Sequence, residues 1–259
     1  YVTFDKLVNR VFKEGEDVQK IVNFLDTIAK EKIEPFIDKS YQSLATYVNA
    51  YDQKMQMKRE VIANKGIWTA KKRYILNAWD VEGVRFKEPQ LKVMGQEMVK
   101  SSTPAPCREK MKEAIKIIMS GDEKEFNNFL MSFRDEFNKL APEEIAYPRS
   151  VNGVRKFYSD SSIYRKGTPM HIKGALVYNH MIRERKLSRK YPIIQDGDKV
   201  KYLELRQPNP LGCNVITFSA KLPKELDILK YVDYDTSYLK SFIDPLSFIT
   251  NLSLIHISE

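Results

Sequence analysis

Apolar positions at Val18, Ile21, Val22, Leu25 and Ile28 recur at helical spacing and predict an amphipathic helix. A second helix is predicted after Glu34, with Pro35 in its first turn and a stripe of Phe36, Ile37, Leu44, Tyr47 and Val48 that reads as core. Tyr1 to Phe4, short, aromatic and β-branched, reads as the stub of a strand. The period changes at Lys58. Arg59 to Asn64 reads as a strand, Asn64-Lys65-Gly66 as a tight turn, and Ile67 to Trp79 as the returning strand. Asp80 to Gly83 reads as a second turn into Val84 to Phe86, which completes a small antiparallel meander. Lys71 and Arg73 then point from one face of it, and Lys72, Tyr74 and Leu76 from the other.

Helical spacing returns after a connector, Gly95 to Pro106. One helix is predicted from about Pro104 to Met119, with Met111, Ile115 and Ile118 on its inner face. The next starts at Ser120 or Asp122, with Ser120 and Glu123 at capping-box spacing. Its stripe of Phe126, Phe129, Leu130, Phe133, Phe137 and Leu140 is the strongest helical signal in the chain. A helix from His171 to Arg185 and strands at Val200 to Leu205 and Val215 to Phe218 follow. The mixture is an α+β fold: a small antiparallel sheet with packed helices, then a mainly helical part.

Composition narrows the class. The 259 residues are 42% hydrophobic and 11% aromatic, enough for one large core or two modest ones. Mean hydropathy is −0.46, and no stretch approaches the roughly 18 to 20 apolar residues that span a bilayer. Cys107 and Cys213 are the two cysteines. They form no CxxC pair and no disulfide framework, which fits a reducing compartment. The chain opens at Tyr1 with no signal-peptide pattern and reads as a piece of something longer.

Charge is segregated. The net charge is +9. From Gln53 to Tyr74, Lys54, Lys58, Arg59, Lys65, Lys71, Lys72 and Arg73 face one acid, Glu60. From Ile163 to Lys190, Arg165, Lys166, Lys173, Arg183, Arg185, Lys186, Arg189 and Lys190 face one acid, Glu184. The windows carry +13 between them, so the remainder is net −4. Two cationic segments on a mildly acidic scaffold suggest a polyanion held from two sides.

Catalytic motifs are missing. His171, His180 and His256 stand in no HExxH motif, and there is no P-loop, Rossmann turn or GxSxG elbow. The chain reads as a binder. Lysine and tyrosine donors at Lys71-Lys72-Arg73-Tyr74 suit the minor-groove acceptors shared by all base pairs, and the arginine and the second lysine suit phosphate. Lys100-Ser101-Ser102-Thr103-Pro104 gathers a lysine and three hydroxyls where a helix begins, a place that favours phosphate; Thr103 is the candidate N-cap. Thr168 to Gly174 opens the second window in the same style, with His171 and Lys173 placed to follow a backbone.

These motifs carry a resemblance. Met57-Lys58-Arg59-Glu60, Trp68 to Tyr74, Lys92 to Gly95 and Lys100 to Pro104 resemble the C-terminal palm of family B DNA polymerases, in the replicative type of T-even-like bacteriophages. Thr168 to Tyr178 and Pro208-Asn209-Pro210 resemble that family's thumb. The resemblance implies three segments: residues 1–95 as the C-terminal part of the palm, 96–250 as the thumb, and 251–259 as a non-native tail. It implies that Lys71, Lys72, Arg73 and Tyr74 sit at the minor groove and primer strand, and that Lys100, Ser101, Ser102 and Thr103 hold primer phosphates. Arg165, Lys166, His171 and Lys173 would track the backbone further out, and Glu60 would be an auxiliary acid near the metal site.

The resemblance also implies that the metal-binding aspartates lie just before Tyr1, so this piece alone incorporates no nucleotide. Mg2+, deoxynucleotides and the sliding clamp belong to the complete enzyme, primer–template DNA is the partner, and the setting is the cytoplasm of an infected bacterium. Two other readings fit the charge pattern. One is a stand-alone basic nucleic-acid-binding module; the other is an interaction domain for an acidic protein.

Overall fold

The computed structural model describes residues 1–121 and 123–255. Two compact units emerge: residues 1–70 with 74–93, and residues 71–73 with the described residues from 94 onward.

The first unit opens with α1 (Asp5–Val11), α2 (Val18–Ile28) and α3 (Glu34–Tyr47). Tyr1 to Phe4 forms no strand; the Tyr1 ring instead lies edge-on to Trp68 at 4.9 Å and to Tyr74 at 5.8 Å. Asp17 caps α2 by accepting from the Gln19 N–H at 3.0 Å. The two helices predicted separately run together through a π-turn, Ala29–Ile33. Pro35 has no N–H to give and would crowd the carbonyl of Glu31; the widened turn makes room for its ring.

β1 (Val61–Ala70), β2 (Arg73–Val81) and β3 (Val84–Met94) form a sheet in that order. The first turn is not at Asn64-Lys65-Gly66, which lies inside β1, but at Lys71-Lys72. Gly66 serves close packing rather than a turn: a Cβ there would stand 2.5 Å from the Trp68 ring and 2.8 Å from Leu76. The second turn, Glu82-Gly83, has φ of 52° and 88°, the left-handed pair that a two-residue hairpin favours. Pro89 is accommodated in β3, an edge strand.

The core of this unit is Val22 with Ile62, Ile75, Leu76 and Ala78. The stripe on α3 is not core. Phe36 is 71% and Tyr47 86% exposed, Leu44 and Val48 are exposed, and Ala45 is the one buried residue of that helix. Periodicity establishes that a helix has an apolar face, but not that a surface covers it.

The second unit continues with α4 (Ala105–Ser120), α5 (Glu123–Phe137), α6 (Pro142–Ile145), β4 (Tyr147–Ser150), α7 (Val154–Phe157), β5 (Tyr158–Ser159) and β6 (Ile163–Tyr164). Then come α8 (Met170–Glu184), β7 (Lys199–Glu204), β8 (Val215–Phe218), α9 (Tyr234–Tyr238) and α10 (Asp244–Ile255). Ser120 does not cap α5: it is the last residue of α4, its hydroxyl donates to Ile117, and Gly121 at φ 84° ends the helix. The alternative cap, Asp122, lies outside the described residues, as do His256 and residues 257–259 of the expected tail.

Of the α5 stripe, Phe133 and Phe137 are fully buried. Their rings meet Phe242 at 4.6 Å and Tyr238 at 5.3 Å, edge to face. A second π-turn, Leu239–Ile243, precedes Asp244-Pro245 as the first precedes Glu34-Pro35. β4, β7 and β8 make an antiparallel sheet, pairing Tyr147 with Tyr202 and Tyr202 with Thr217. α8 packs on β8 so closely that a Cβ on Gly174 would stand 2.4 Å from the Thr217 hydroxyl. Both cysteines are buried and free. Among the described residues no helix is long and apolar enough to cross a membrane.

Candidate nucleic-acid interface

The first basic motif forms the tip of a hairpin rather than the flank of a strand. Lys71 and Lys72 are the exposed turn residues, and Lys72 is left-handed, with φ 62°. Arg73, also exposed, starts β2. A tip fans its side chains outward, so the two-face alternation expected here does not hold for Lys71 and Lys72. Gly95 keeps the tip in place within the second unit: a Cβ on it would stand 2.7 Å from the Lys72 carbonyl. Tyr74 belongs to the first unit and is buried there. Burial, and then the nearby Glu60 carboxylate, push its phenol above the usual range, so it remains a donor at neutral pH.

From Gly95 the chain runs through a short 3-10 turn, Glu97–Val99, into the second motif. Lys100 forms an ion pair with Glu97, and the buried Thr103 hydroxyl stands 3.4 Å from the same carboxylate. Thr103 therefore does not cap α4. The N-cap is Pro104, with no side-chain bond, and Pro106 withdraws a further N–H from the first turn. This helix end is poorer in donors than its hydroxyls suggested. Ser101 is exposed and Ser102 half-buried.

Both motifs nevertheless reach one place. Arg73, Glu97, Ser102 and Thr103 line a cavity of about 400 Å3 in the second unit, together with Arg149 and Lys240. Arg149 donates through Nη1 to the carbonyls of Ser102 and Pro148, each at 3.0 Å. Its guanidinium lies 6.0 Å from the centre of the Tyr202 ring. Lys240 is held by both oxygens of Glu204, at 2.7 and 2.8 Å. Neither cation was among the predicted site residues. Arg149 lies between the two basic windows and belongs to neither, so neither charge clustering nor periodicity marks it.

The second window divides. His171 is half-buried at the start of α8; burial, and then the Arg149 charge, hold its imidazole below the usual value, so it is neutral at pH 7. Lys173 donates to Asn214 at 2.9 Å and lies 4.9 Å over the Tyr164 ring. Arg165 bonds the Tyr158 carbonyl at 3.1 Å, and both Arg165 and Lys166 are exposed. Lys190 and Arg185 are tied to Glu225, the former by an ion pair and the latter through the backbone carbonyl. The bonds from Lys190 and Tyr191 hold the Glu225 carboxyl down at about 2.

The first window also loses a member. Arg59 does not face solvent but bridges Asp26 and Asp80 inside the first unit. Glu60 is exposed and paired with Lys92. Among the described residues no group of three His, Cys, Asp or Glu side chains stands together. Glu60 and its Lys92 partner do not by themselves make a Mg2+ site.

No protein-family model matches the chain. Its sequence is 37% identical over 263 aligned residues, 95% of the chain, to the DNA-directed DNA polymerase of Enterobacteria phage T4. It is 37% identical over 265 aligned residues, 97% of the chain, to the DNA-directed DNA polymerase of Escherichia phage RB69. The chain spans 28% and 29% of the length of these two relatives. The likeness carried by the motifs thus extends over nearly all of it.

Proposed function

We propose that this chain is the C-terminal palm and thumb portion of a phage replicative DNA polymerase of family B, and that its work is to grip primer–template duplex and position the primer end. The observation that carries this reading is the meeting of two motifs distant in sequence. The hairpin tip through Arg73 and the connector through Ser102 and Thr103 line one cavity, with Arg149 beside them. Donors on a turn and a connector can follow a phosphate backbone without reading bases. Lys71, Lys72, Arg165 and Lys166 are exposed, and no carboxylate among the described residues forms an ion pair with them, so they supply the sequence-neutral attraction.

Bond formation belongs to the rest of such an enzyme. The two-metal reaction needs carboxylates that hold both ions and align the attacking hydroxyl. Deoxynucleotides, Mg2+ and a sliding clamp are accordingly partners of the complete polymerase, in the cytoplasm of an infected bacterium. Glu60, exposed and paired with Lys92, would serve at most as an auxiliary acid beside the metal site.

The test is the salt dependence of primer–template binding by the chain. With roughly 6 to 8 phosphate contacts, log K should fall against log salt with a slope of about −5 to −7, alike on unrelated sequences. A flat response, or strong sequence preference, would overturn the reading.

A further inference from the structure

We infer that Arg149 is a fixed seat for one backbone phosphodiester, a contact outside the basic windows. The inference rests on the duplex-gripping reading and adds to it the group that anchors the strand at the cavity.

The guanidinium is held along one edge and open along the other. Nη1 spends its two N–H groups on the Ser102 and Pro148 carbonyls. The Tyr202 ring supports the plane of the group. Among the described residues no carboxylate lies within ion-pair distance of Arg149, and no acceptor is bonded to Nε or Nη2. Nε and Nη2 are not among the buried unpaired atoms, so water reaches them, and an anion in the adjoining cavity would take the place of that water. Nε and Nη2 together present the planar fork that suits two phosphate oxygens. Because the holding bonds come from the backbone of the Lys100–Pro104 connector and of β4, the fork is set before a ligand arrives.

Charge selects among phosphates. Glu97 and Asp244 also line the cavity; Lys100 neutralises Glu97, while Glu204 occupies Lys240. With carboxylates in the wall, a diester carrying a single charge is favoured over a free phosphate dianion or a triphosphate. Arg73 on the same wall gives the strand a second contact.

The experiment compares wild type, Arg149→Gln and Arg149→Lys for primer–template affinity across a salt series. Arg149→Gln should make the slope of log K shallower by about 0.9, the release due to one phosphate. The affinity loss should be uniform across sequences, and Arg149→Lys should recover the slope. A normal wild-type slope left unchanged in Arg149→Gln overturns this seat alone; a flat wild-type slope overturns the duplex reading itself. Titration with inorganic phosphate at constant ionic strength separates the sources. Heat of binding to wild type that is lost in Arg149→Gln would assign the cavity to free phosphate and overturn the diester. Should Arg149→Gln fail to fold, phenylglyoxal modification of Arg149 in the wild-type chain decides: duplex should protect it, and unchanged reactivity overturns the inference.

Discussion

The guanidinium of Arg59, just before β1, donates to the carboxylate of Asp80 on β2, and its other edge bonds Asp26 on α2 at 2.7 Å. Asp80 is fully buried and accepts also from Arg85 and from the Gly83 N–H, each at 3.0 Å. One residue of a basic cluster is thus the bolt between helix and sheet in the first unit. Arg59→Ala should cost about 3 kcal/mol in urea unfolding, because it removes one partner of a buried charge network. Its salt slope for duplex binding should stay as in wild type.

Burial raises the affinity of Asp80 for a proton, but the bonds from Arg59, Gly83 and Arg85 outweigh it and hold the carboxyl below its ordinary value of 3.8. A depressed carboxyl stabilises the fold above that value and loses the contribution as pH falls through the lowered one. Acid unfolding followed by circular dichroism should therefore begin below about pH 4. Asp80→Asn should flatten this limb while lowering stability at neutral pH.

Lys72 separates charge from fold. A left-handed lysine carries about 1 kcal/mol of backbone strain that glycine lacks. Lys72→Gly should leave the melting temperature equal or slightly higher, yet weaken duplex binding on every sequence alike. A base-selective loss would contradict a minor-groove and backbone role.

His171 reports on Arg149. Its midpoint, read by NMR titration, should lie below 6.5, lowered first by burial and then by the Arg149 charge. Because the unfolded chain binds the proton more readily, the stability linked to this group is complete above 6.5 and lost as pH falls through the lowered midpoint. Arg149→Gln should move the midpoint upward. An unmoved midpoint would mean that the two charges are not neighbours.

Gly174 fixes the distance between α8 and β8. In Gly174→Ala the added methyl would meet the Thr217 hydroxyl at 2.4 Å and its backbone N at 2.8 Å. Helix propensity offers about 1 kcal/mol in return. Strain against backbone exceeds it, for a net loss of about 1–2 kcal/mol in urea unfolding.

Much of this architecture is written in short-range periodicity. The spacing from Val18 to Ile28 and the β-branched run from Val215 to Phe218 match α2 and β8 residue for residue, and the predicted helix at His171 to Arg185 matches α8 to within a residue. The motif order carried the likeness to phage polymerases, because a resemblance needs only sequence. The turn at Asn64 to Gly66 failed for a physical reason: glycine marks either a left-handed turn or a close approach, and only the neighbours, Trp68 and Leu76, show which.

Charge was the least legible quantity. A sequence counts Arg59, Arg185 and Lys190 as members of cationic clusters, yet each is bound to an acid or a carbonyl distant in the chain. Arg149 had no local signal, and its place beside Ser102 comes from two segments that meet through space. The amino-acid order by itself determined the strongly periodic elements, such as α2, α8 and β8, and which proteins this one resembles, since both follow from local pattern. The tertiary structure alone decided which cations are free to meet an anion, because Coulomb interactions fall off with distance in space and take no account of separation along the chain.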